Sequence, residues 1–294
     1  MTLQTHVTVE VDDFDVFFAP LLKEIDGEVS GALRSDSDGD LVTYIAEAKV
    51  GLNLIAPYLN KTTRILEIGS GVGALSAFLK SKGYNIKAIE PIGEGFAHMA
   101  ALQSRLLGCM QDAGDFEIED KSCDQLSRAQ DGEFDLIFSV NVLEHIDDLD
   151  GALSSMTDVL KADGVMVHLC PNYRIPYEPH FGIPILLWSS GLTARVFRSQ
   201  INARRALWNS LNFVTSGRIR RISQRLNLTI RFEDGVMADT VRRLRTDPVF
   251  EARHAQGIGK FSTLASSRVA EAVLERWPAT WATPMKFTMR KKSP

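Results

Sequence analysis

A glycine-rich loop and a carboxylate that follows it are the residues best suited to binding a ligand. In LEIGSGVG a short apolar run ends at Glu67. Three glycines then lead into helix-like sequence: Gly69, Gly71 and Gly73. Glycine has no Cβ, so such a turn can adopt positive φ and let a ligand approach the backbone closely. A second apolar run ends at Glu90, where a carboxylate can accept hydrogen bonds from the ribose hydroxyls of a nucleoside.

A histidine after a later apolar run could transfer protons. His145 lies in NVLEHID, directly after GEFDLIFSV. Ligands of open α/β sheets bind where the strands end, and an imidazole pKa near neutrality suits a general base there. His145 is therefore the first candidate for a catalytic base. The alternative interpretation is a structural histidine that packs or caps a helix.

The segment PNYRIPYEPHF concentrates polar side chains in a short stretch. Its ionisable residues are Tyr173, Arg174, Tyr177, Glu178 and His180. Tyrosine, carboxylate and imidazole groups together could orient an acceptor hydroxyl and remove its proton, so His180 is a rival base. A purely structural loop, stiffened by its prolines and tyrosines, is the alternative interpretation.

Strands and helices alternate in the part of the chain that positions these residues. Five short apolar runs are typical of strands: RILEI, NIKAIEP, DFEIED, GEFDLIFSV and VMVHLCP. Helix-like segments separate them, which indicates a parallel sheet covered on both faces. LTIRFEDG and TPMKFTMRK complete a predicted sheet of seven strands. The predicted fold class is α/β, with a doubly wound, mostly parallel sheet and a helical cap inserted after the fifth strand.

The sequence divides into four segments. Residues 1–43 form an acidic and irregular N-terminal lead, and residues 44–172 contain the alternating elements of an α/β core. Residues 173–225 interrupt the alternation with prolines, tryptophans and arginines, which predicts the inserted cap. Residues 226–294 supply the two strands that complete the sheet.

The inserted segment is strongly basic. From Pro179 to Phe232 there are nine arginines, no lysine and no acidic residue, although the whole chain carries a net charge of −4. Arginine presents a planar fork to phosphate or carboxylate, and aromatic side chains offer apolar area to a ring, a lipid tail or a membrane surface. We therefore expect an anionic or lipid-linked acceptor, and peripheral membrane contact through this segment. The alternative is a solvated lid whose arginines pair with the acidic remainder of the chain.

The composition excludes several other classes of protein. With 294 residues, 45% of them hydrophobic and 24% charged, the chain is typical of a globular protein. No apolar run approaches the length of about 20 residues that spans a bilayer, and the N-terminus lacks a signal-like pattern. The three cysteines, Cys109, Cys123 and Cys170, have no CxxC spacing, which argues against disulfides and cysteine zinc sites. We expect a cytoplasmic protein.

Over residues 64–171 the sequence resembles the class I S-adenosylmethionine-dependent methyltransferases, which have a Rossmann-like fold. LEIGSGVG matches their first motif, Glu90 their ribose-binding acid, and GEFDLIFSVNVLEHI their fourth strand and the residues after it. An enzyme that uses NAD would usually show GxGxxG, whereas this chain has GxGxG after an acid that ends the first strand. The resemblance implies a methyltransferase with S-adenosylmethionine as its cofactor.

The resemblance also implies which residues surround the cofactor. They are Glu67, Gly69, Gly71, Gly73, Glu90, Ile92, Ser122, Cys123 and Asn141. The methionine part is expected against Glu67, Gly69 and Gly71, and the ribose on Glu90. The adenine is expected near Ile92, Ser122 and Cys123. Asn141 is expected beside the sulfonium, whose positive charge favours carboxylate and carbonyl oxygens.

The stretch after the fourth strand is also similar to the quinone-biosynthesis O-methyltransferases. Some of these hold a divalent metal with a Glu-x-x-Glu-His set, where this chain has Asn141, Glu144 and His145. An amide in place of the first carboxylate weakens an anionic oxygen cage for a hard metal. We therefore expect no metal here.

The expected activity is O-methylation of a small molecule, a saccharide, or a lipid- or phosphate-linked acceptor. A nucleic-acid methyltransferase is the first alternative. Against this alternative, the chain has NVLE at the place where amino-methylating enzymes carry N/D-P-P-[YF]. The total charge is acidic and there is no lysine cluster. We therefore do not expect nucleic acid as a partner. The second alternative is a protein that binds S-adenosylmethionine without catalysis.

Overall fold

A seven-stranded, mostly parallel sheet is the central element of the computed structural model. The structure describes residues 11–29, 36–91, 97–108, 116–247, 250–251 and 268–292. The strands in chain order are β1 (Arg64–Ile68), β2 (Asn85–Ile89), β3 (Ile118–Glu119), β4 (Phe134–Val140), β5 (Leu160–Cys170), β6 (Tyr177–Glu178), β7 (Ile183–Pro184), β8 (Leu228–Phe232) and β9 (Met285–Lys291). The order across the main sheet is β3-β2-β1-β4-β5-β9-β8, and β6 and β7 form a separate two-stranded sheet. The predicted α/β class and the mostly parallel seven-stranded sheet are confirmed.

Burial explains why the central strands read as continuous apolar runs. β1 pairs in parallel with β2 on one side and with β4 on the other, so that Glu67 lies opposite both Ala88 and Phe138. Strands covered on both faces carry few polar residues, and four of the five residues of β1 are buried. β8 and β9 pair antiparallel, with Phe232 opposite Phe287. Both of the strands expected near the C-terminus are therefore present.

The chain divides into two compact units, and α helices occur in both. The first unit comprises Met1–Val140 and Gly151–Val167, and the second comprises Asn141–Asp150 and His168–Pro294. The helices of the first unit are α1 (Val11–Val29), α2 (Asp36–Ile55), α3 (Ala74–Ser81), α4 (Ala97–Gly108), α5 (Arg128–Asp131) and most of α6 (Leu149–Asp158). The second unit contains α7 (Ser190–Val196), α8 (Arg198–Ala203), α9 (Arg205–Ser210), α10 (Ser216–Arg225), α11 (Val236–Thr246) and α12 (Arg268–Glu275). Among these described helices, none combines the length and the apolar character needed to cross a bilayer.

The N-terminal lead differs from its expected irregular structure, because α1 occupies much of it. Phe14, Phe18, Leu21 and Ile25 are buried and recur at helical spacing. The ring of Phe14 lies 5.1 Å from that of Phe78 on α3. The acidic residues of this segment concealed an apolar stripe that only packing against the rest of the first unit makes visible.

The expected helix before the fifth strand also ends earlier than the sequence indicated. LDGALSSMTDVLKADG is one of the helix-like segments that separate the predicted strands, but α6 ends at Asp158 and β5 begins at Leu160. Lys161 and Asp163 therefore belong to the strand, at an end where the burial pattern is partly exposed. The insertion of residues 173–225 contains the short helices α7 to α10, and its role as a cap stays a prediction.

A buried carboxylate connects the edge of the sheet to the loop that follows β3. Asp131 accepts hydrogen bonds from Lys87 on β2 and from Lys121, each at 2.8 Å. Burial alone raises the pKa of Asp131, but the hydrogen bonds from the two lysines and from the amide of Ser127 outweigh it and lower the pKa to about 2. These contacts fix the backbone just before Ser122.

Gly73 offers a test of how tightly the glycine loop is packed. Gly73 and Gly83 both have φ +77°, but a Cβ on Gly73 would lie 2.6 Å from Cδ1 of Ile118, whereas no described atom lies within 4 Å of a Cβ on Gly83. Gly83→Ala carries only the cost of a left-handed alanine, about 1–2 kcal/mol. We expect Gly73→Ala to lose about 1–3 kcal/mol more, because it also overpacks its neighbours. Urea unfolding of both variants measures the difference, and equal losses would contradict tight packing at Gly73.

Candidate functional site

The glycine loop leaves β1 and enters α3 through three residues in the left-handed region. Gly69, Gly71 and Gly73 have φ angles of 67°, 57° and 77°. The amide of Gly69 donates to the carbonyl of Ile89 at 2.9 Å, so the start of the loop is held against the end of β2. Residues other than glycine rarely adopt this conformation, which explains the GxGxG spacing.

Glu90 is held against the loop by a direct hydrogen bond. The amide of Gly71 donates to Oε2 of Glu90 at 2.7 Å. On the other side of the same residue, Nε2 of Gln103 on α4 donates to the carbonyl of Gly71 at 2.8 Å. A Cβ on Gly71 would lie 3.3 Å from the ring of Tyr44 on α2. Gln103 and Tyr44 were missed by the sequence analysis, because no motif distinguishes them from other residues of their helices.

Glu67 is a buried carboxyl group that carries a proton at neutral pH. Its main partner is the hydroxyl of Ser76, which donates to Oε2 of Glu67. Burial raises the pKa of Glu67, the hydrogen bond from Ser76 acts in the opposite direction, and the charge of Glu90 raises the pKa further, to about 8. Burial also raises the pKa of Glu90. A ligand that brings positive charge to these carboxyls would favour their ionised forms.

The residues of the loop fit a polar ligand. The hydroxyl of Ser70 is buried and makes no hydrogen bond within the described residues. Such a hydroxyl costs free energy unless a ligand or solvent provides a partner. A side chain at Gly71 would approach Tyr44 closely, so this position of the turn favours glycine.

The expected adenine residues lie beside the end of β3. Glu90 donates its amide to the carbonyl of Glu119 at 3.0 Å, so the segment that follows β3 begins next to Glu90. Ser122 and Gln125 cap a short 3-10 turn, and the thiol of Cys123 is buried there. Burial and the nearby charge of Asp124 raise the pKa of Cys123 to about 11, so it stays an uncharged thiol. Ile92 lies outside the described residues.

Asn141 begins the second unit in an unusual conformation. It follows β4 directly, has φ 54°, and donates its amide to the carbonyl of Leu169 at 2.8 Å. Asparagine tolerates the left-handed region better than most residues. The structure therefore gives a local reason for an amide at this position.

The partly exposed His180 and the buried Glu178 form a pair in the second unit. Nδ1 of His180 lies 2.6 Å from Oε1 of Glu178, and the hydroxyl of Tyr173 donates to the same oxygen at 3.1 Å. The amide of Phe181 donates to the other carboxylate oxygen at 2.7 Å. Burial alone raises the pKa of Glu178, but the hydrogen bonds and charge of His180 and the backbone amides outweigh it and lower that pKa. Glu178 is thus an ionised acceptor that orients the imidazole.

His145 lies next to His180, with ring centroids 5.2 Å apart. Its Nδ1 lies 2.9 Å from Oγ of Ser210, and Ser210 donates its only hydroxyl proton to the carbonyl of Leu207. Nδ1 must therefore donate, which leaves Nε2 of a neutral imidazole as an acceptor. Burial and the proximity of His180 lower the pKa of His145 to about 4, while Glu178 acts in the opposite direction.

Asn212 holds the turn that carries His145. Its side-chain amide donates to the carbonyls of Leu143 and Ile146, at 2.7 and 2.8 Å, and its backbone amide donates to the carbonyl of Glu144. Ser210 and Asn212 are more than 60 residues from His145 in sequence. The sequence analysis missed both residues, because a single serine or asparagine in an inserted segment gives no periodic signal.

The two histidines also lie near a buried carboxylate. Glu144, His145 and His180 each offer one potential metal-ligand atom, and these atoms lie within 4.8 Å of one another. Imidazole nitrogen and carboxylate oxygen are ligands that divalent transition metals accept. The expectation of no metal rested on Asn141 alone and stays a prediction.

The arginines of the insertion serve different purposes. Arg225 pairs with Asp150, and a nitrogen of Arg218 lies 4.0 Å from the same carboxylate. Arg204 donates to the backbone carbonyl of His180 at 2.9 Å, and its guanidinium lies 5.6 Å from the ring centroid of Phe181. Pairing with acidic residues therefore accounts for only some of the arginines.

Comparison with known proteins places the chain in a family. A model of a methyltransferase-domain family matches residues 43–231. Two Mycobacterium tuberculosis proteins, uncharacterized protein MT1557 of strain CDC 1551 and uncharacterized protein Rv1509 of strain H37Rv, are each 36% identical over 209 residues. The match covers 65% of this chain and 66% of each relative, so the chain spans just under two-thirds of their length.

Several solved structures are similar in fold. The [4+2]-cyclase SpnF has a TM-score of 0.49 and 16% identity, and the match covers 97% of this chain and 96% of that protein. A possible histamine N-methyltransferase from Thermotoga maritima has a TM-score of 0.39 and 16% identity, over 76% and 81% of the two chains. A putative methyltransferase of an antibiotic biosynthesis pathway from Anabaena variabilis has a TM-score of 0.41 and 15% identity, over 84% and 97%.

The family match extends over more than half of the chain and includes the glycine loop and Glu90. The chain therefore belongs to this methyltransferase-domain family.

Proposed function

We propose that the protein methylates an oxygen atom of a small-molecule, saccharide, or lipid- or phosphate-linked acceptor. The observation that carries this proposal is the hydrogen bond from His180 to the buried carboxylate of Glu178. A hydroxyl group must lose its proton to become a good nucleophile, and a carboxylate-oriented imidazole is suited to remove it. An activated methyl group is what S-adenosylmethionine supplies when it is bound.

The first unit provides the groups that would hold the cofactor. Oε2 of Glu90 accepts a hydrogen bond from the amide of Gly71. This hydrogen bond would hold the carboxylate in position to accept hydrogen bonds from the ribose hydroxyls. Glu67 would compensate the positive charge of the methionine part, and its burial strengthens that interaction. Gly69 and Gly71 allow the ligand to approach the backbone, and the hydroxyl of Ser70 gains a partner.

His180 is the proposed general base. Its Nδ1 donates to Glu178, so Nε2 is the acceptor that takes the proton from the acceptor hydroxyl. The imidazolium that forms is stabilised by the ionised Glu178, which two further donors hold in place: Tyr173 and the amide of Phe181. The acceptor oxygen keeps its electron pair and becomes the nucleophile that methyl transfer requires.

His145 has a different proposed role. A pKa of about 4 makes it a weak base at neutral pH, since efficient proton transfer requires a pKa near the working pH. Its neutral Nε2 can instead accept a hydrogen bond that orients the acceptor. The order of the two candidates is therefore the reverse of the one that the sequence indicated.

Arg204 supports an acceptor that carries negative charge. It is exposed, and its hydrogen bond to the carbonyl of His180 places a guanidinium beside the proposed base. The ring of Phe181 next to it offers an apolar surface. A phosphate or carboxylate group on the acceptor could accept hydrogen bonds from this guanidinium group.

A nucleic-acid acceptor and cofactor binding without catalysis are the alternative functions.

The cofactor site is tested by titrating the protein with S-adenosylmethionine and S-adenosylhomocysteine in a calorimeter. We expect Glu90→Ala to weaken binding by about 10- to 100-fold, because it removes hydrogen bonds to a charged acceptor. Glu117→Ala is the matched control, since Glu117 is an exposed carboxylate near the same edge and should bind like wild type. The proposed cofactor site would be contradicted if Glu90→Ala bound S-adenosylmethionine as tightly as wild type, or if folded wild type did not bind it.

Cofactor binding should release a proton from Glu67 at neutral pH. The free protein holds this carboxyl protonated up to a pKa of about 8, and positive charge from the cofactor lowers that pKa. Affinity should therefore rise with pH from the ordinary carboxyl pKa of 4.5 up to about 8, and become constant above it. Calorimetric titrations in buffers of different ionisation enthalpy measure how many protons are released when the cofactor binds. Glu67→Gln should abolish the proton release. A wild-type affinity that does not change with pH would contradict this prediction.

The two histidines should differ in their effect on turnover. In a methyl-transfer assay over hydroxyl-bearing anionic and lipid-linked acceptors, we expect His180→Ala to lower kcat by about 100- to 10,000-fold. His145→Ala should cause a smaller loss, and cofactor affinity should be unchanged in both. If His145→Ala loses activity and His180→Ala retains it, the base is His145. Absence of turnover with every acceptor, despite cofactor binding, would favour the non-catalytic alternative.

A further inference from the structure

Large apolar side chains are exposed in one short stretch of the insertion. Leu187, Trp188, Leu192 and Val196 are exposed to 82%, 64%, 38% and 59%. Within the described residues, the other large exposed apolar side chains are Val16, Val273 and Trp281, and all three lie far from this stretch in sequence. Single exposed apolar residues are normal, but a cluster of them marks an interaction surface.

The backbone conformation of this stretch keeps Leu187 and Trp188 exposed to solvent. Leu187 and Trp188 have φ angles of 49° and 53°, a conformation that is unfavourable for residues with a Cβ. The buried hydroxyl of Thr193 fixes the turn, because it accepts from the amide of Leu186 at 2.8 Å and donates to the carbonyl of Ser189 at 2.7 Å. Such strain persists only where surrounding contacts determine it.

Helix α7 continues the apolar surface. Leu192 and Val196 are four residues apart on this helix and therefore share a face. Trp188 precedes the helix, and its indole Nε1 donates to the backbone carbonyl of Arg174 at 3.3 Å. The apolar surface thus includes an aromatic ring of the kind that is enriched at membrane interfaces.

Positive charge lies beside the apolar side chains. Arg195 and Arg198 are exposed, and within the described residues neither forms an ion pair. No acidic residue occurs from Pro179 to Phe232, so nothing in this stretch of sequence neutralises them. Exposed apolar residues next to arginines are the pattern of segments that lie in the interface of an anionic bilayer.

The combination of charge and apolar side chains favours a membrane over two other possible partners, a second copy of the chain and a nucleic acid. A symmetric contact between two copies would bring the same arginines of both chains together, with no acidic partner in this stretch. A nucleic acid would attract the arginines but gives little reason for exposed aliphatic side chains such as Leu187 and Val196. An anionic lipid surface satisfies both kinds of side chain.

We infer that residues 187–198 form a docking surface for a membrane that contains anionic phospholipid. Leu187, Trp188, Leu192 and Val196 enter the interface, and Arg195 and Arg198 contact the lipid phosphates. This inference goes beyond the proposed function, since docking requires neither the cofactor nor an identified acceptor. It does place the enzyme where a lipid-linked acceptor would be found.

Co-sedimentation with vesicles tests this surface. We compare vesicles of phosphatidylcholine with vesicles that also contain phosphatidylglycerol, using the full chain. Wild type should bind the anionic vesicles, more weakly as salt rises, and binding should shift the Trp188 fluorescence to shorter wavelength. Leu187→Ser with Trp188→Ser should lose at least tenfold in affinity. Arg195→Gln with Arg198→Gln should lose affinity and show a smaller salt dependence.

Matched controls keep the test specific. Val16→Ser removes an exposed apolar side chain elsewhere, and Arg231→Gln removes an exposed arginine of the same basic stretch outside the surface. Both should bind vesicles like wild type. All variants should bind S-adenosylmethionine unchanged, so a failure of docking is distinguishable from a failure of the cofactor site.

Three results would overturn the inference. The first is a folded wild type that does not bind vesicles containing phosphatidylglycerol, or equal binding by the Leu187→Ser and Trp188→Ser double variant. The second is a dimer, seen by light scattering, that dissociates in that variant, which would identify a second copy as the occupant. The third is binding of a DNA or RNA oligonucleotide that requires Arg195 and Arg198 while vesicles do not bind.

Discussion

The hydrogen bond from the amide of Gly71 to the carboxylate of Glu90 is the contact on which the proposed cofactor site depends. It connects the loop after β1 to the end of β2, and it exists only because the glycines of the loop adopt positive φ. The charge of Glu90 also acts on the buried Glu67, and together with burial it raises the pKa of Glu67. In the proposed function, a cationic cofactor would favour the ionised forms of both carboxyls.

The second unit uses the same physical principle in a different way. Glu178 is also buried, yet its pKa is lowered, because the hydrogen bond and charge of His180 and the backbone amides of His180 and Phe181 outweigh the effect of burial. Burial alone favours the neutral acid, and enough donors reverse that preference. His145 lacks a carboxylate at hydrogen-bond distance from its Nδ1 and has Ser210 there instead, so burial lowers its pKa. Neighbouring imidazoles thereby acquire different chemistry.

The insertion combines contacts of two kinds. Asn212 and Ser210 face inward and hold the turn that carries His145, through hydrogen bonds to backbone and imidazole. Leu187 and Trp188 are directed outward by a strained turn that Thr193 holds. A segment that is conspicuous in sequence for its arginines therefore also depends on its uncharged side chains.

The sequence alone determined the features that local physics controls. Glycine spacing, the acids at the ends of β1 and β2, and the alternation of apolar runs with helices depend on steric and periodic rules that act over a few residues. Tertiary structure decided the rest. It revealed α1 inside an acidic lead, and it paired His180 with Glu178 and His145 with Ser210. Burial and contacts between residues distant in sequence set those properties, and no local pattern records them.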